Sequence, residues 1–391
     1  MNGSAGLGRM QRSTMIYLDN AATTYPKPPA VFTAMHRCMN EFGGNPGRGS
    51  HKLSLLASEC VYNCRERVAD FFGISDPMNV SFTLNTTYAL NTAIKSLAER
   101  GAHFIIGNFE HNSVRRPVEC LARQGVIDYD VLDVRGTKED VICHLRKIVR
   151  PTTRAVICAH ASNICNFLAP IQEIGTFCRE HGIAFILDAA QSAGIYAIDL
   201  QNSSIDFLCV PGHKGLYGPQ GCGIMIVSER FSDSKTLIEG GSGVHSLDVE
   251  MPQEMPDHFE AGTLPTPAIA GLCEGVKWVE SIGVQTIHKH ECALWRQAYA
   301  DMASMREVIV YDDTPGSILL FNVDGCSPSY ISSELNRAGI CVRAGMHCAP
   351  MAHSALETGG DGAVRVSFGA MNTMKEVRTF VDALHHLIRT K

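Results

Sequence analysis

The feature that most limits the fold is an alternation running through the first two thirds of the chain. Short, uninterrupted apolar runs at 103–106, 155–159 and 183–187 alternate with stretches of helical spacing at 54–72, from Thr86–Thr87 onward, at 113–124 and at 171–181. Short continuous apolar runs are what strands buried on both faces require, and amphipathic helices supply the cover. Such alternation predicts an α/β layer fold with a mostly parallel sheet and right-handed crossovers. A further pair of runs, 206–210 and 222–227, flanks a glycine-rich loop and reads as a strand pair closing that sheet. Four prolines in residues 251–267 (MPQEMPDHFEAGTLPTP) mark a domain boundary. Beyond it the pattern is a long helical region at 268–305, a strand at 318–323, a helix at 328–338, strands at 340–343 and 364–368, and a final helix. That describes a smaller α+β domain. The expected division is a tail at 1–14, an arm at 15–30, a large domain at 31–255 and a small domain at 256–391.

Composition excludes several classes. A length of 391 residues with 45% hydrophobic and 19% charged residues suits two globular domains better than one, and does not suit disorder. A net charge of −6 without a basic run gives nothing to bind nucleic acid or an anionic membrane. No stretch approaches the roughly 20 apolar residues of a membrane span. Residues 1–14 are Gly/Ser-rich without an apolar core, so they read as a tail and not as a secretory signal. The 15 cysteines are then expected as free thiols in a reducing, cytoplasmic setting. None forms a C-x-x-C pair, and Cys60 with Cys64 on one helical face reads as core packing. No metal site is expected.

Four features carry chemistry together. Asp188 ends the apolar run of FILDAAQS, where open α/β sheets bind ligands, although an acid there also caps helices. Lys214 lies in PGHKGLYGPQGCG, whose five glycines let the backbone approach a ligand closely. The spacing is neither a dinucleotide fingerprint nor a P-loop, and a strand follows it instead of a helix. An ordinary amine titrates at about 10.4, and desolvation or a neighbouring cation lowers it toward the neutral, nucleophilic form that Schiff-base chemistry needs. Asn85, Thr86 and Thr87 (LNTTYALN) open a helix, whose free N–H groups and dipole suit a phosphate, though plain capping uses the same residues. His111 in NFEHNS follows another strand end, where a histidine is also commonly structural. Phosphate site, acid, amine and aromatic face at the strand ends of one sheet describe a pyridoxal-phosphate pocket, with the acid on the ring nitrogen.

With these motifs in place, the sequence resembles the class V aminotransferase family of pyridoxal-phosphate fold type I, and within it the cysteine desulfurases of group II. The resemblance rests on YLDNAATTYPKP, NPGRGSHKLS, NTTYALN, EHNS, HASN, LDAAQS, GHKGLYGPQGCG, FEAGT and RAGMHCAP, in the family's order from about residue 15 to the end. It implies a mostly parallel seven-stranded sheet sandwiched by helices and a small C-terminal domain carrying the active-site cysteine loop. It further implies that Lys214 holds the cofactor, Asp188 binds its ring nitrogen, His111 stacks on the ring and Gln191 contacts the ring hydroxyl. Thr86, Thr87 and His213 would hold the phosphate, with Thr263 reaching in from a second subunit of a homodimer. Asn163, Arg365 and Arg343 would bind the substrate carboxylate. Cys348 would take sulfur from L-cysteine as a persulfide, releasing alanine, and pass it to a small sulfur-acceptor protein, as in iron–sulfur cluster assembly. His347 and Arg343 are candidates for lowering the thiol's pKa.

The sequence departs from the family's pattern at Pro211, Met346, Asn166 and Phe167, and Phe167 is expected to narrow the substrate pocket. Selenocysteine lyase, cysteine sulfinate desulfinase and aminotransferase activities share such a pocket and remain alternatives. So does a scaffold that binds cofactor without turning over.

Overall fold

The computed structural model of the chain describes residues 15–47 and 49–390. The expected tail at 1–14 lies outside the described residues. In chain order the elements are β1 (Ile16–Tyr17), α1 (Pro29–Glu41), α2 (Lys52–Phe72), β2 (Val80–Thr83), α3 (Thr86–Ser96), β3 (Ala102–Gly107), α4 (Asn112–Arg123), β4 (Ile127–Leu132) and α5 (Lys138–Ile148). There follow β5 (Thr153–Ala159), α6 (Ile171–Glu180), β6 (Ala184–Asp188), α7 (Leu200–Ser203), β7 (Phe207–Pro211) and β8 (Gly223–Val227). The remainder is α8 (Thr266–Ile282), α9 (Val284–Met302), β9 (Val308–Val310), β10 (Ile318–Val323), α10 (Pro328–Arg337), β11 (Ile340–Cys341), β12 (Arg343–Gly345), α11 (Pro350–Ala355), β13 (Ala363–Ser367) and α12 (Met374–Arg389).

The large sheet has seven strands in the order β2-β8-β7-β6-β5-β3-β4, parallel except that β8 runs antiparallel to both neighbours. Its central strands β3, β6, β7 and β8 are buried at every position, which is why they read as unbroken apolar runs. The chain steps outward from β3 to β4 and then returns on the other side through β5. That reversal makes a topological switch point between β3 and β5, and ligands settle outside the carboxyl ends of strands at such points.

A second core lies under the four-stranded antiparallel sheet β12-β13-β10-β9, built from Leu319, Phe321, Val364 and Val366 with Trp295 of α9 and Phe380 of α12. The helical region expected at 268–305 is two helices, because Gly283 takes φ +88° and ends α8. Ile269, Leu272 and Val276 of α8 pack into the large-sheet core, whereas Leu294 and Trp295 of α9 join the second core. The change of core therefore falls at Gly283. The strand expected at 340–343 is also divided: β11 pairs in parallel with β1 and β12 pairs with β13, so the arm is stitched to the small sheet.

Candidate active site

Loops at the carboxyl ends of the large sheet line a cavity of about 100 Å³. Thr86, Thr87, His111, Asn163, Asp188, Gln191, His213 and Lys214 all line it, so eight residues singled out in the sequence meet in one place. They arrive from five segments: the start of α3, the cap of α4, the loop after β5, the end of β6 with its turn, and the loop after β7. Asn85 caps α3 by accepting the Tyr88 N–H at 3.0 Å, which turns Thr86, Thr87 and the helix N-terminus toward the cavity. His111 caps α4, Asn163 follows β5, and Asp188 is the last residue of β6.

Lys214 follows β7 in a loop that lies backbone to backbone on the turn after Asp188. A Cβ at Gly215 would meet the carbonyl of Ala193, and one at Gly194 would meet the carbonyl of Gly215. Only glycine permits this approach. Thr24 of the arm adds a clamp, its Oγ1 donating to the Lys214 carbonyl at 2.9 Å.

The electrostatics of the site follow from burial. Enclosure lowers the Lys214 amine to about 8, against an opposing pull from Asp188. Asp188 is 4% exposed, and burial raises its pKa; the Ala190 N–H and Lys214 counteract this in part. His111 is pushed down to about 4, first by burial and then by Lys214 and Arg343, so its ring is neutral. Its Nδ1 accepts the Ser113 N–H at 3.1 Å, which leaves the proton on Nε2. The Ser113 hydroxyl bridges that nitrogen, at 2.8 Å, to Thr87 Oγ1, at 2.7 Å.

The residues present fit pyridoxal phosphate. Thr86 Oγ1 and His213 Nδ1 are buried donors or acceptors with no hydrogen-bond partner, as is Asn163 Oδ1 on the same cavity wall. Buried polar atoms are seldom left unpaired, and a phosphate at the α3 N-terminus would satisfy the first two. A protonated ring nitrogen against Asp188 would offset the burial that now disfavours its carboxylate.

Four expected residues do not line this cavity: Cys348, Arg343, Arg365 and Thr263. Thr263 is exposed, and its hydroxyl accepts from the Asn45 amide at 3.4 Å. Arg365 is buried on β13, where it donates to the Asn163 carbonyl at 2.9 Å and pairs with Asp19 at 2.6 Å, while its Nε keeps no partner. The Cys348 loop is docked beside the cavity through its backbone. The Asn163 amide donates to the His347 carbonyl at 2.7 Å, and the Asn112 N–H to the Cys348 carbonyl at 2.7 Å. His347 and Cys348 take φ of +49° and +58°, a sparsely populated region for non-glycine residues.

His347 does not supply the cation expected beside the thiol. Burial pushes it down to about 3, and its nitrogens face His353 Nε2 at 3.1 Å and the Arg343 carbonyl at 3.3 Å. Phe167 lies behind the wall, stacked on the lining residue Phe109 at 5.4 Å, so it shapes the pocket only through that ring. Asn166 acts as a staple, donating to the carbonyls of Thr314 and Ile318 and accepting the Ile318 N–H. Sequence reasoning missed Phe109 and Ser113. The serine stands in the quoted EHNS motif, yet only the tertiary contact with Thr87 reveals its place.

Sheet order and site together define a pyridoxal-phosphate enzyme of fold type I. The chain belongs to the class-V aminotransferase family, whose profile matches residues 16–380. It is 34% identical to a probable cysteine desulfurase of Methanothermobacter thermautotrophicus, over 95% of this chain and 94% of the relative. A probable cysteine desulfurase of Pyrococcus abyssi is 31% identical, over 96% and 95%. Among solved structures, the apo cysteine desulfurase of Thermococcus onnurineus NA1 superposes with a TM-score of 0.88 at 30% identity, covering 96% of this chain and 95% of that one. The cysteine desulfurase CsdA of Escherichia coli gives 0.87 at 25% identity, covering 96% and 95%. No helix among the described residues is long and apolar enough to cross a membrane.

Proposed function

We propose that the chain is a cysteine desulfurase that converts L-cysteine to L-alanine and carries the sulfur on Cys348 as a persulfide. The observation that carries this reading is the pair of bonds from Asn163 and Asn112 to the carbonyls of His347 and Cys348. They tie a cysteine loop to the two strand ends that also build the Lys214 cavity. Pyridoxal phosphate held by Lys214, Asp188, Thr86, Thr87, His213 and Gln191 supplies an electron sink for charge developing at Cα. The remaining tasks fall to side chains. The Lys214 amine, half neutral near pH 8, accepts the proton leaving Cα. Asn163, Arg343 and Arg365 hold the carboxylate, for which the planar guanidinium is suited. The Cys348 thiolate takes the substrate sulfur: the Cβ–S bond breaks, an S–S bond forms on Cys348, and alanine leaves.

The reading extends to a cytoplasmic homodimer in which the partner contributes Thr263 to the phosphate, and to a small protein that accepts the persulfide sulfur. A cofactor-binding large domain and a small domain bearing the cysteine loop belong to the same proposal, with the change of core at Gly283 instead of the expected residue 255. Product analysis tests the reaction. Wild-type holoenzyme should form alanine from L-cysteine and carry a persulfide on Cys348, whereas Cys348→Ala should bind cofactor and form no alanine. Equal alanine formation by Cys348→Ala would overturn the assignment. Turnover confined to selenocysteine or cysteine sulfinate would move it to the neighbouring reactions.

A further inference from the structure

A second cavity lies behind Lys214, on the side away from the site described above. Ala190, Gln191 and Lys214 form a wall common to both. The rear cavity is small, about 20 Å³. That is room for about one ordered water. Its polar lining includes Asn20 of the arm, Gln191, Tyr217, Ser317 and Glu291.

Glu291 is the anomaly. It sits on α9, is 2% exposed, and its Oε2 has no hydrogen-bond partner among the described residues. An ionised carboxylate buried without a partner costs several kcal/mol, which is relieved either by a bound cation or by a proton. A bound metal ion is disfavoured here, because no cluster of three metal-ligating side chains exists among the described residues. Lys214 shares the chamber and leaves the carboxyl group without a counter-charge whenever its amine is neutral. The other titratable groups facing Glu291 are Tyr196, Tyr217 and Cys292, which burial keeps protonated and uncharged. The carboxyl group is therefore held as the neutral acid, in agreement with burial raising it well above its ordinary range.

We infer that Glu291 is a proton store for Lys214, exchanging one proton with its amine through a water held in the rear cavity. The step balances without another reactant. The Glu291 O–H bond breaks toward the water, a water O–H breaks toward the Lys214 nitrogen, and an N–H bond forms. The carboxylate and ammonium so created attract one another, and the reverse transfer restores both neutral groups. Burial pulls the amine down and pushes the acid up, so the two hold a proton with closer affinity than they would in water. Tyr217 accepts the Ala370 N–H at 2.7 Å, which leaves its own proton free to point into the chamber. The store faces away from the substrate cavity, so Lys214 is re-protonated or relieved of a proton without opening that cavity to bulk water. Glu291 is thus a positioning residue that acts through Lys214, and the inference rests on the proposed role of that amine.

Holoenzyme carrying Glu291→Gln, which keeps size but has no acidic proton, is the principal test. Wild-type protein at pH 7, with or without cofactor, should show the carbonyl stretch of a protonated carboxylic acid that shifts in D₂O and is missing in the variant. The variant's kcat with L-cysteine should fall about tenfold, below the ~100-fold of a direct general acid. KM should stay within about twofold, as expected when binding is untouched. With Cα-deuterated cysteine the variant should retain more label in its products than wild type. Ser317→Val, which fills the chamber while leaving Glu291 in place, should reproduce the fall in kcat if Glu291→Gln does not fold.

No protonated-acid band lost with Glu291, or unchanged kcat and label retention in a folded variant, would overturn the inference. Borohydride trapping of cofactor on Lys214 in each variant separates the two levels. Trapping with unchanged kcat removes only the proton store, and its absence in wild type removes the proposed function beneath it.

Discussion

At the scale of single residues, the site depends on moving an amine into the range where it works. Burial lowers Lys214 to about 8, so the neutral, nucleophilic fraction grows as pH rises and is nearly complete above that value. In cofactor-free protein, trapping of an aldehyde on Lys214 should accelerate about tenfold per pH unit up to pH ~8 and then level off, instead of climbing to the ordinary lysine range. Asp188 pulls the other way, so Asp188→Asn should move the levelling point to lower pH. A rate still rising steeply at pH 9.5 would count against the described environment. Lys27 is a second amine lowered by burial, to about 7, and it donates to the His213 carbonyl at 2.6 Å, one residue from Lys214. Nothing in a lone lysine of a YPKP stretch announces that contact.

Elements set which parts of this were readable. Buried strands declare themselves, because nearly every position is apolar: 103–106 and 183–187 were expected within one residue of β3 and β6 at each end. Edge strands do not. β4 alternates buried ends with exposed Asp128 and Val131 and so shows no apolar run, and β9 is apolar but only three residues long with none buried, too short to stand out. The cavity wall was legible wherever a motif residue stands at a strand end or helix cap, as with Asp188, His111 and Thr86. Contacts between distant segments were not: Arg365 meets Asp19 across 346 positions, and no local pattern predicts it. Asn166 belongs to this scale too, stapling the loop after β5 to the segment leading into β10. Asn166→Ala removes three hydrogen bonds and strands the buried Ile318 N–H, whereas the Ile318 carbonyl keeps the Trp295 Nε1 donor at 2.8 Å, so stability should fall by about 2 kcal/mol in urea unfolding. A change below ~0.5 kcal/mol would show that the staple is dispensable.

Across the whole molecule, the active site is assembled where the arm, the large sheet and the small sheet converge. Arg365 marks that convergence, tying β13 to Asp19 of the arm and to the Asn163 carbonyl beside the Lys214 cavity. If it also clamps substrate, Arg365→Lys should raise KM for L-cysteine by about 10- to 100-fold through loss of the planar fork, with a smaller change in kcat. An unchanged KM would confine Arg365 to holding the three parts together. The account as a whole rests on a covalent link between one side chain and its cofactor. Protein loaded with pyridoxal phosphate, reduced with borohydride and digested should yield a single pyridoxyl-modified peptide carrying the label on Lys214. An unlabelled Lys214, or the label on another lysine, would contradict it.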